Sequence, residues 1–381
     1  MSALDDYRAE LARGLLGLQE AGLLRRLRPP RGIDLVSNDY LGLASHPHLL
    51  ARMRDSLAEL GVGSGGSRLL RGHRECFERL EVRLAAFCGA EAALLFSSGY
   101  AANVGLLSTL LGPGDLVLSD ERNHASLIDG IRLAGARRVV YPHQDLQALE
   151  GALRAARGPG RRFVVTESVF SMDGDLTPLA QLAALAESRG ALVIVDEAHA
   201  TGLYGERGSG RVEELGLGSR MLATVHAGGK ALGCAGAWVA GSSTLRDVLV
   251  NRARPFVFST APLPVVTAAL EGALELVGRE PERREEVHRK AALLRGALRE
   301  AGADVGRSES PIVPVLVGDN ERALAFQEAL AEAGFDVRAI RFPTVPKGSA
   351  RLRVAARHPV PDAELQRFAA ELARLLAGKA A

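Results

Sequence analysis

The sequence predicts an α/β protein, in which a mostly parallel, seven-stranded sheet is wrapped by helices and followed by a smaller α+β domain. Three observations carry this prediction. Short apolar runs alternate with helical patterns through the middle of the chain. Several of the runs are continuously apolar rather than alternating, as strands buried on both faces require. The alternation then breaks at FVFSTAPLP (256–264), where two prolines interrupt it and long helical stretches take over.

Taken in order, residues 1–30 predict an N-terminal amphipathic helix ended by Pro29–Pro30. The strands that follow are AALLF (92–96), DLVLSD (115–120), RRVVY (137–141), RFVVTES (162–168), ALVIVDE (191–197), MLATV (221–225) and GAWVAG (236–241). Between them AANVGLLSTLL, SLIDGIRLAG, LQALEGALRAA and PLAQLAALAESRG read as helices. After the break come helical ALEGALELV and RREEVHRKAALLRGALREAG. The remainder alternates strand PIVPVLVG, helix ERALAFQEALAEAG, strands DVRAI and ARLRVAA, and a final helix. The expected division is an N-terminal segment 1–45, a large domain 46–270 and a C-terminal domain 271–381.

Composition narrows the function classes. A chain of 381 residues exceeds what one core serves comfortably, and 47% hydrophobic with 24% charged residues marks an ordinary globular protein. A formal net charge of +2, with the arginines scattered, gives no case for nucleic acid or an anionic membrane. Cys76, Cys88 and Cys234 form no CxxC pair, and neither an HExxH nor a Cys/His cluster offers a metal site. No apolar run approaches the roughly 20 residues a membrane span needs. The acidic start MSALDDYRAE lacks a cationic n-region, so the expected location is the cytoplasm.

In an open parallel sheet, ligands sit beyond the carboxyl ends of the strands. Four polar stretches fall just after predicted strands: SSGYAAN, DERNHAS, ESVFSMDGD and DEAHATG. The first leads into a helix, whose leading N–H groups form a natural phosphate seat. The others supply His124, Asp196 and His199. A fifth strand leads to VHAGGKALG (225–233), where Lys230 stands alone among small residues. By itself that lysine reads equally as an incidental residue in a glycine-rich turn or as a desolvated nucleophilic amine. Its place on the same sheet edge as the other groups favours the second. GVGSGGS (61–67) follows a helix-like stretch and no GxGxxG opens a βα unit, which makes a dinucleotide site a poor fit. A pyridoxal phosphate site uses every element: a lysine, a carboxylate for the ring nitrogen and a phosphate seat.

Together SNDYLGLASHP (37–47), GSGGSRLLRG (63–72), SSGYAAN (97–103), NHASLIDG (123–130), ESVFSMDGDLTPL (167–179), DEAHATGLYG (196–205) and GGKALG (228–233) resemble the α-oxoamine synthase family. These are fold-type I pyridoxal 5'-phosphate enzymes that condense an amino acid with an acyl thioester and release carbon dioxide. The resemblance runs through residues 34–357 in family order. GSGGSR, TPL after FSMDGD and the lysine segment followed by FSTAPLP are most similar to members that join L-alanine to a pimeloyl thioester in biotin biosynthesis. Sister enzymes taking glycine with acetyl-CoA, or serine with a long acyl-CoA, share the catalytic residues; FSMDGD and GSGGSR speak against an ordinary aminotransferase.

The resemblance implies a role for each matched position. Lys230 holds the cofactor covalently and then shuttles the α-proton, Asp196 faces the pyridine nitrogen, His199 bonds the phenolic oxygen and His124 stacks on the ring. Ser98, Gly99 and Tyr100 seat the phosphate, Glu167 and Ser171 line the pocket, and Asn38 lies at the entrance. Arg353 grips the amino acid's carboxylate, while Arg25 and Arg341 serve the thioester or acyl chain. Ser259 and Thr260 reach the cofactor phosphate of a neighbouring subunit, which implies a homodimer with shared active sites. One position departs from the pattern: Ala227 stands where the family commonly has a phosphate-binding threonine.

Overall fold

The computed structural model describes residues 2–378. In chain order its strands are β1 (Ile33–Asp34), β2 (Ala92–Phe96), β3 (Leu116–Asp120), β4 (Arg137–Tyr141), β5 (Arg162–Glu167), β6 (Ala191–Asp196), β7 (Ala223–Ala227), β8 (Ala237–Gly241), β9 (Ile312–Gly318), β10 (Phe335–Asp336), β11 (Arg338–Ile340) and β12 (Ala350–Ala355). The chain divides into two compact units. One holds residues 38–287 and 357–359; the other holds the residues before 38, 288–356 and those from 360 onward.

The unit of residues 38–287 is built on a seven-stranded sheet in the order β2-β8-β7-β6-β5-β3-β4, as the α/β prediction requires. The pairs β3/β4, β3/β5, β5/β6 and β6/β7 are parallel. Only β8 runs against its neighbours β2 and β7. The reason is length: residues 228–236 alone join β7 to β8, too short for the crossover helix a parallel return needs. Both faces of the sheet are covered, and alternate residues of each strand serve opposite faces. Phe163, Val165 and Ile194 pack with Leu106, Leu127 and Leu249 on one side. Val164, Val193 and Val195 pack with Leu149, Leu153 and Leu182 on the other. Each such side chain, fully withdrawn from water, contributes about 1.5–3 kcal/mol, which explains the continuous apolar runs. The outermost strand β4 is mostly exposed, and its Arg137 and Arg138 blunt a free edge.

In the other unit an antiparallel sheet in the order β11-β12-β9 packs with the helices Asn320–Glu332 and Asp362–Leu376 around Val313, Val315, Phe335, Leu352, Val354 and Phe368. A short parallel pair, β1 with β10, adds Leu35 beside it. Two local expectations are corrected here. The N-terminal helix runs only Ala3–Glu20, capped by Ser2 in a capping box, and buries no side chain. It stops at Gly22, whose φ of +65° turns the chain left-handed and lets Leu23 N–H reach back to Leu18 O, well before the prolines. The predicted strand DVRAI divides at Val337, so that Phe335–Asp336 pairs with β1 and Arg338–Ile340 with β12. Among the described residues no helix is long and apolar enough to cross a membrane.

Candidate active site

Because β2, β3, β5, β6 and β7 run the same way, their carboxyl ends share one edge of the sheet. After β2, Ser98 is the N-cap of the helix Gly99–Leu110 and its side chain accepts the Ala101 N–H at 3.2 Å. A Cβ built on Gly99 would meet nothing within 4 Å, so the space at this helix start is open. Tyr100 is half-exposed and donates its hydroxyl to Asp129 Oδ2 at 2.5 Å.

After β3, His124 caps the helix Ala125–Ala134 at the sheet edge, with part of its surface exposed and its Nδ1 side tucked inward. Its N–H donates to Glu167 Oε1 at 2.6 Å, which ties the end of β3 to the end of β5. Glu167 is buried, and burial, reinforced by the charge of Asp196, pushes its carboxyl up to about 8. Burial and the charge of Lys230 hold the His124 imidazole below its ordinary value, against the pull of Asp196. These mutual influences place His124, Glu167, Asp196 and Lys230 within one electrostatic neighbourhood.

Ser171, half-buried, rides on the turn after β5 that is closed by the Val169–Leu176 bridge and by Thr177 N–H donating to Ser168 O at 3.0 Å. This turn is anchored by an imidazole that sequence reasoning did not single out. His143 donates through Nδ1 to Asp120 Oδ1 and through Nε2 to Asp175 Oδ2, both at 2.8 Å, with all three side chains almost wholly buried.

Asp196 ends β6 with 6% of its surface exposed. Oδ1 accepts the Ala198 N–H at 2.8 Å and Oδ2 accepts the Asn103 side chain at 2.7 Å. His199, equally buried, has Nδ1 2.9 Å from the Tyr40 hydroxyl, which lies 3.1 Å from Asn38 Oδ1. Asn38 thus joins the group through a tyrosine of the same SNDYLG segment. Lys230 is half-buried in the reversal between β7 and β8. The glycines beside it serve the backbone: a Cβ on Gly228 would lie 2.6 Å from Leu270 Cδ2 and 2.9 Å from Ala235 O. On Gly233, at φ +62°, a Cβ would lie 2.3 Å from Ala44 N.

Ser259 and Thr260 are exposed after the short helix Arg254–Val257, where Thr260 bridges Ser67 of the GSGGSR loop. Arg25, Arg341 and Arg353 belong to the other unit. There Arg25 donates to Thr344 Oγ1 at 2.8 Å and Arg341 to Gly22 O, while Arg353 is buried in β12 opposite Arg338 and Pro314. Tyr40, Asn103 and Ser126 went unassigned in the sequence. A signal existed for Asn103, the one polar side chain in the run AANVGLL of the helix Gly99–Leu110.

The sequence profile of the aminotransferase class I and II family matches residues 30–372. The chain belongs to that family. Its motifs resemble the α-oxoamine synthases within it, and the relatives agree. The chain is 47% identical to the 8-amino-7-oxononanoate synthase of Geobacter sulfurreducens, covering 96% of this chain and 97% of that protein. It is 45% identical to that of Bacillus pumilus, over 86% of this chain and 84% of the other. Among solved structures, Sphingomonas wittichii serine palmitoyltransferase superposes with a TM-score of 0.91 at 29% identity, covering 100% of this chain and 99% of that one. A structure of SPT with PLP internal aldimine gives 0.90 at 29% identity over 100% of both chains. The 8-amino-7-oxononanoate synthase of Francisella tularensis gives 0.80 at 27% identity, covering 91% of this chain and 98% of that one.

Proposed function

We propose that the protein is a pyridoxal phosphate-dependent acyltransferase. It condenses L-alanine with a pimeloyl thioester, on coenzyme A or an acyl carrier protein, to give 8-amino-7-oxononanoate, carbon dioxide and free thiol for biotin biosynthesis. The observation that carries the reading is the grouping of a buried Asp196, Glu167, His124 and Lys230 at one sheet edge beside an open helix start. The choice of alanine and a pimeloyl chain is supported by relatives named 8-amino-7-oxononanoate synthase at 44–49% identity.

The residues present fit the cofactor. The helix start at Gly99 has room for a phosphate, and leading N–H groups with roughly half a positive charge from the helix dipole favour an anion there. Asp196 is an acceptor-only group held by two donors, suited to keeping a proton on a facing ring nitrogen. When bound, pyridoxal phosphate supplies an electron sink for the carbanion left at the amino acid's α-carbon.

The chain's own groups do the rest. Lys230 Nζ would hold the cofactor and, once displaced, take the α-proton of alanine and return one to the product's carbon. Asp196 would hold the ring-nitrogen proton, and His199, oriented by Tyr40, would hydrogen-bond the phenolic oxygen. The His124 imidazole would cover one ring face, and Glu167 and Ser171 would complete the wall. Arg353 would orient alanine's carboxylate by two parallel hydrogen bonds, with Asn38 near the entrance and Arg25 and Arg341 receiving the thioester. Ser259 and Thr260 would complete a neighbour's phosphate site in a homodimer.

The test is thiol release by purified protein supplied with pyridoxal phosphate, comparing L-alanine with pimeloyl-CoA, glycine with acetyl-CoA and L-serine with palmitoyl-CoA. Turnover is expected with the first pair. Strong turnover with glycine or serine and none with alanine assigns the protein to a sister synthase instead.

A further inference from the structure

Two buried side chains between Asp196 and His124 have no role in the account above. Asn103, 1% exposed, spends both amide hydrogens: one on Asp196 Oδ2 at 2.7 Å and one on Ser126 Oγ at 2.9 Å. Ser126, fully buried, lies with its Oγ 2.7 Å from His124 Nδ1, and its own N–H points at that nitrogen at 3.2 Å.

The directions of these bonds are forced. An ionised carboxylate only accepts, so the Asn103 atom facing Asp196 is the NH2 group. The same NH2 faces Ser126 Oγ, which therefore accepts; because the Ser126 backbone N–H already aims at Nδ1, that nitrogen is an acceptor and the hydroxyl sends its single hydrogen to it. Nδ1 then receives two donors and carries no proton, which leaves the neutral ring's hydrogen on Nε2. Flipping the amide would set Asn103 Oδ1 against the carboxylate, two acceptors 2.7 Å apart. The fold keeps the unflipped orientation although Oδ1 is thereby buried with no partner.

We propose that Asn103, acting with Ser126, is a positioning residue that fixes the Asp196 carboxylate and the Nε2-protonated form of His124 as one unit. The two groups that would meet the cofactor's ring, one at its nitrogen and one at its face, are then set by a single amide. This rests on the pyridoxal phosphate reading of the site and deepens it. Protonation of His124 at Nδ1 would set that N–H against the Ser126 backbone N–H and turn the hydroxyl's hydrogen away, so the chain itself opposes the imidazolium. The titratable groups facing His124 are Asp196, which favours its protonation, Lys230, which opposes it, and Glu167, which accepts its backbone N–H.

The test has two readouts. In cofactor-free protein carrying 15N-labelled histidine, NMR follows the tautomer and titration of His124, assigned as the resonance missing in His124→Gln. The wild type should show Nε2–H. In Asn103→Leu, which keeps the γ-branched outline but donates no hydrogen bond, the Ser126 hydroxyl is released to turn and accept from Nδ1–H, and the midpoint should rise by about one pH unit, tenfold in the protonation constant. The second readout is the dissociation constant for pyridoxal phosphate, expected to weaken at least tenfold in Asn103→Leu and by less in Ser126→Ala. An unchanged His124 titration, or a dissociation constant within threefold of wild type, overturns the proposal. If Asn103→Leu does not fold, Asn103→Ser, whose one hydroxyl hydrogen can serve only one of the two acceptors, is read by the same limits. Wild-type protein that takes up no pyridoxal phosphate overturns the functional reading instead, and the titration alone then decides the role of Asn103.

Discussion

Replacing His143 by glutamine should cost stability in a pH-dependent way. The imidazole is buried between Asp120 and Asp175, with Phe170 edge-on at 4.4 Å. Burial pushes the imidazolium down, but the hydrogen bonds and charges of the two carboxylates outweigh it and lift the group from 6.5 to about 9. Since the folded value lies above the unfolded one, the stabilisation is complete below about 6.5 and drains away as pH climbs through 9. Two and a half pH steps at about 1.4 kcal/mol each come to about 3 kcal/mol. Removing the cation also leaves two buried carboxylates facing an uncharged amide, a change in the range of about 3–5 kcal/mol. Urea unfolding followed by the fluorescence of Trp238, the only tryptophan and fully buried in the same unit, reads the loss. The gap between wild type and His143→Gln should be largest at pH 6 and shrink by about 3 kcal/mol at pH 10. Equal gaps at the two pH values would show that His143 carries no charge in the folded protein.

Three further outcomes are expected. Lys230→Ala should abolish borohydride labelling at that position and lower thiol release by about 10²–10⁴-fold or more, the scale of a lost proton-transfer group, and labelling that persists would place the cofactor elsewhere. Ala227→Thr should tighten pyridoxal phosphate binding by one hydrogen bond to a charged group, about 1.5–3 kcal/mol, or roughly tenfold or more in a dialysis measurement; an unchanged constant refutes the missing-hydroxyl argument. Arg353→Lys should raise KM for alanine well above its effect on kcat, because an ammonium cannot reproduce the guanidinium fork, whereas a loss confined to kcat would deny Arg353 a part in alanine binding.

What the sequence made legible is local. AALLF, the apolar core of RFVVTES and that of ALVIVDE became β2, β5 and the run ending in Asp196 because a doubly buried strand needs nothing but its own residues to announce itself. The antiparallel course of β8 followed from a connector length that was visible in the sequence, yet its direction went unread. The end of the first helix was misjudged because the prolines at 29–30 drew more weight than a glycine at 22. The contacts that set the candidate site were not legible. Asn103 meets Asp196 across 93 residues of sequence and Tyr40 meets His199 across 159. The His143 anchor joins three segments, and no periodicity encodes which of them will meet.

The reversal between β7 and β8 has one more consequence. Its neck is stitched by Gly228 N–H to Gly236 O and by Cys234 N–H to Gly228 O, both at 2.9 Å, and both flanks are locked into the sheet. Lys230 is therefore mounted on a short, tethered pin and not on a swinging flap. Any travel its nitrogen makes during turnover must come from rotation about its own methylenes, so a chain insertion here would cripple the amine's reach without enlarging the pocket.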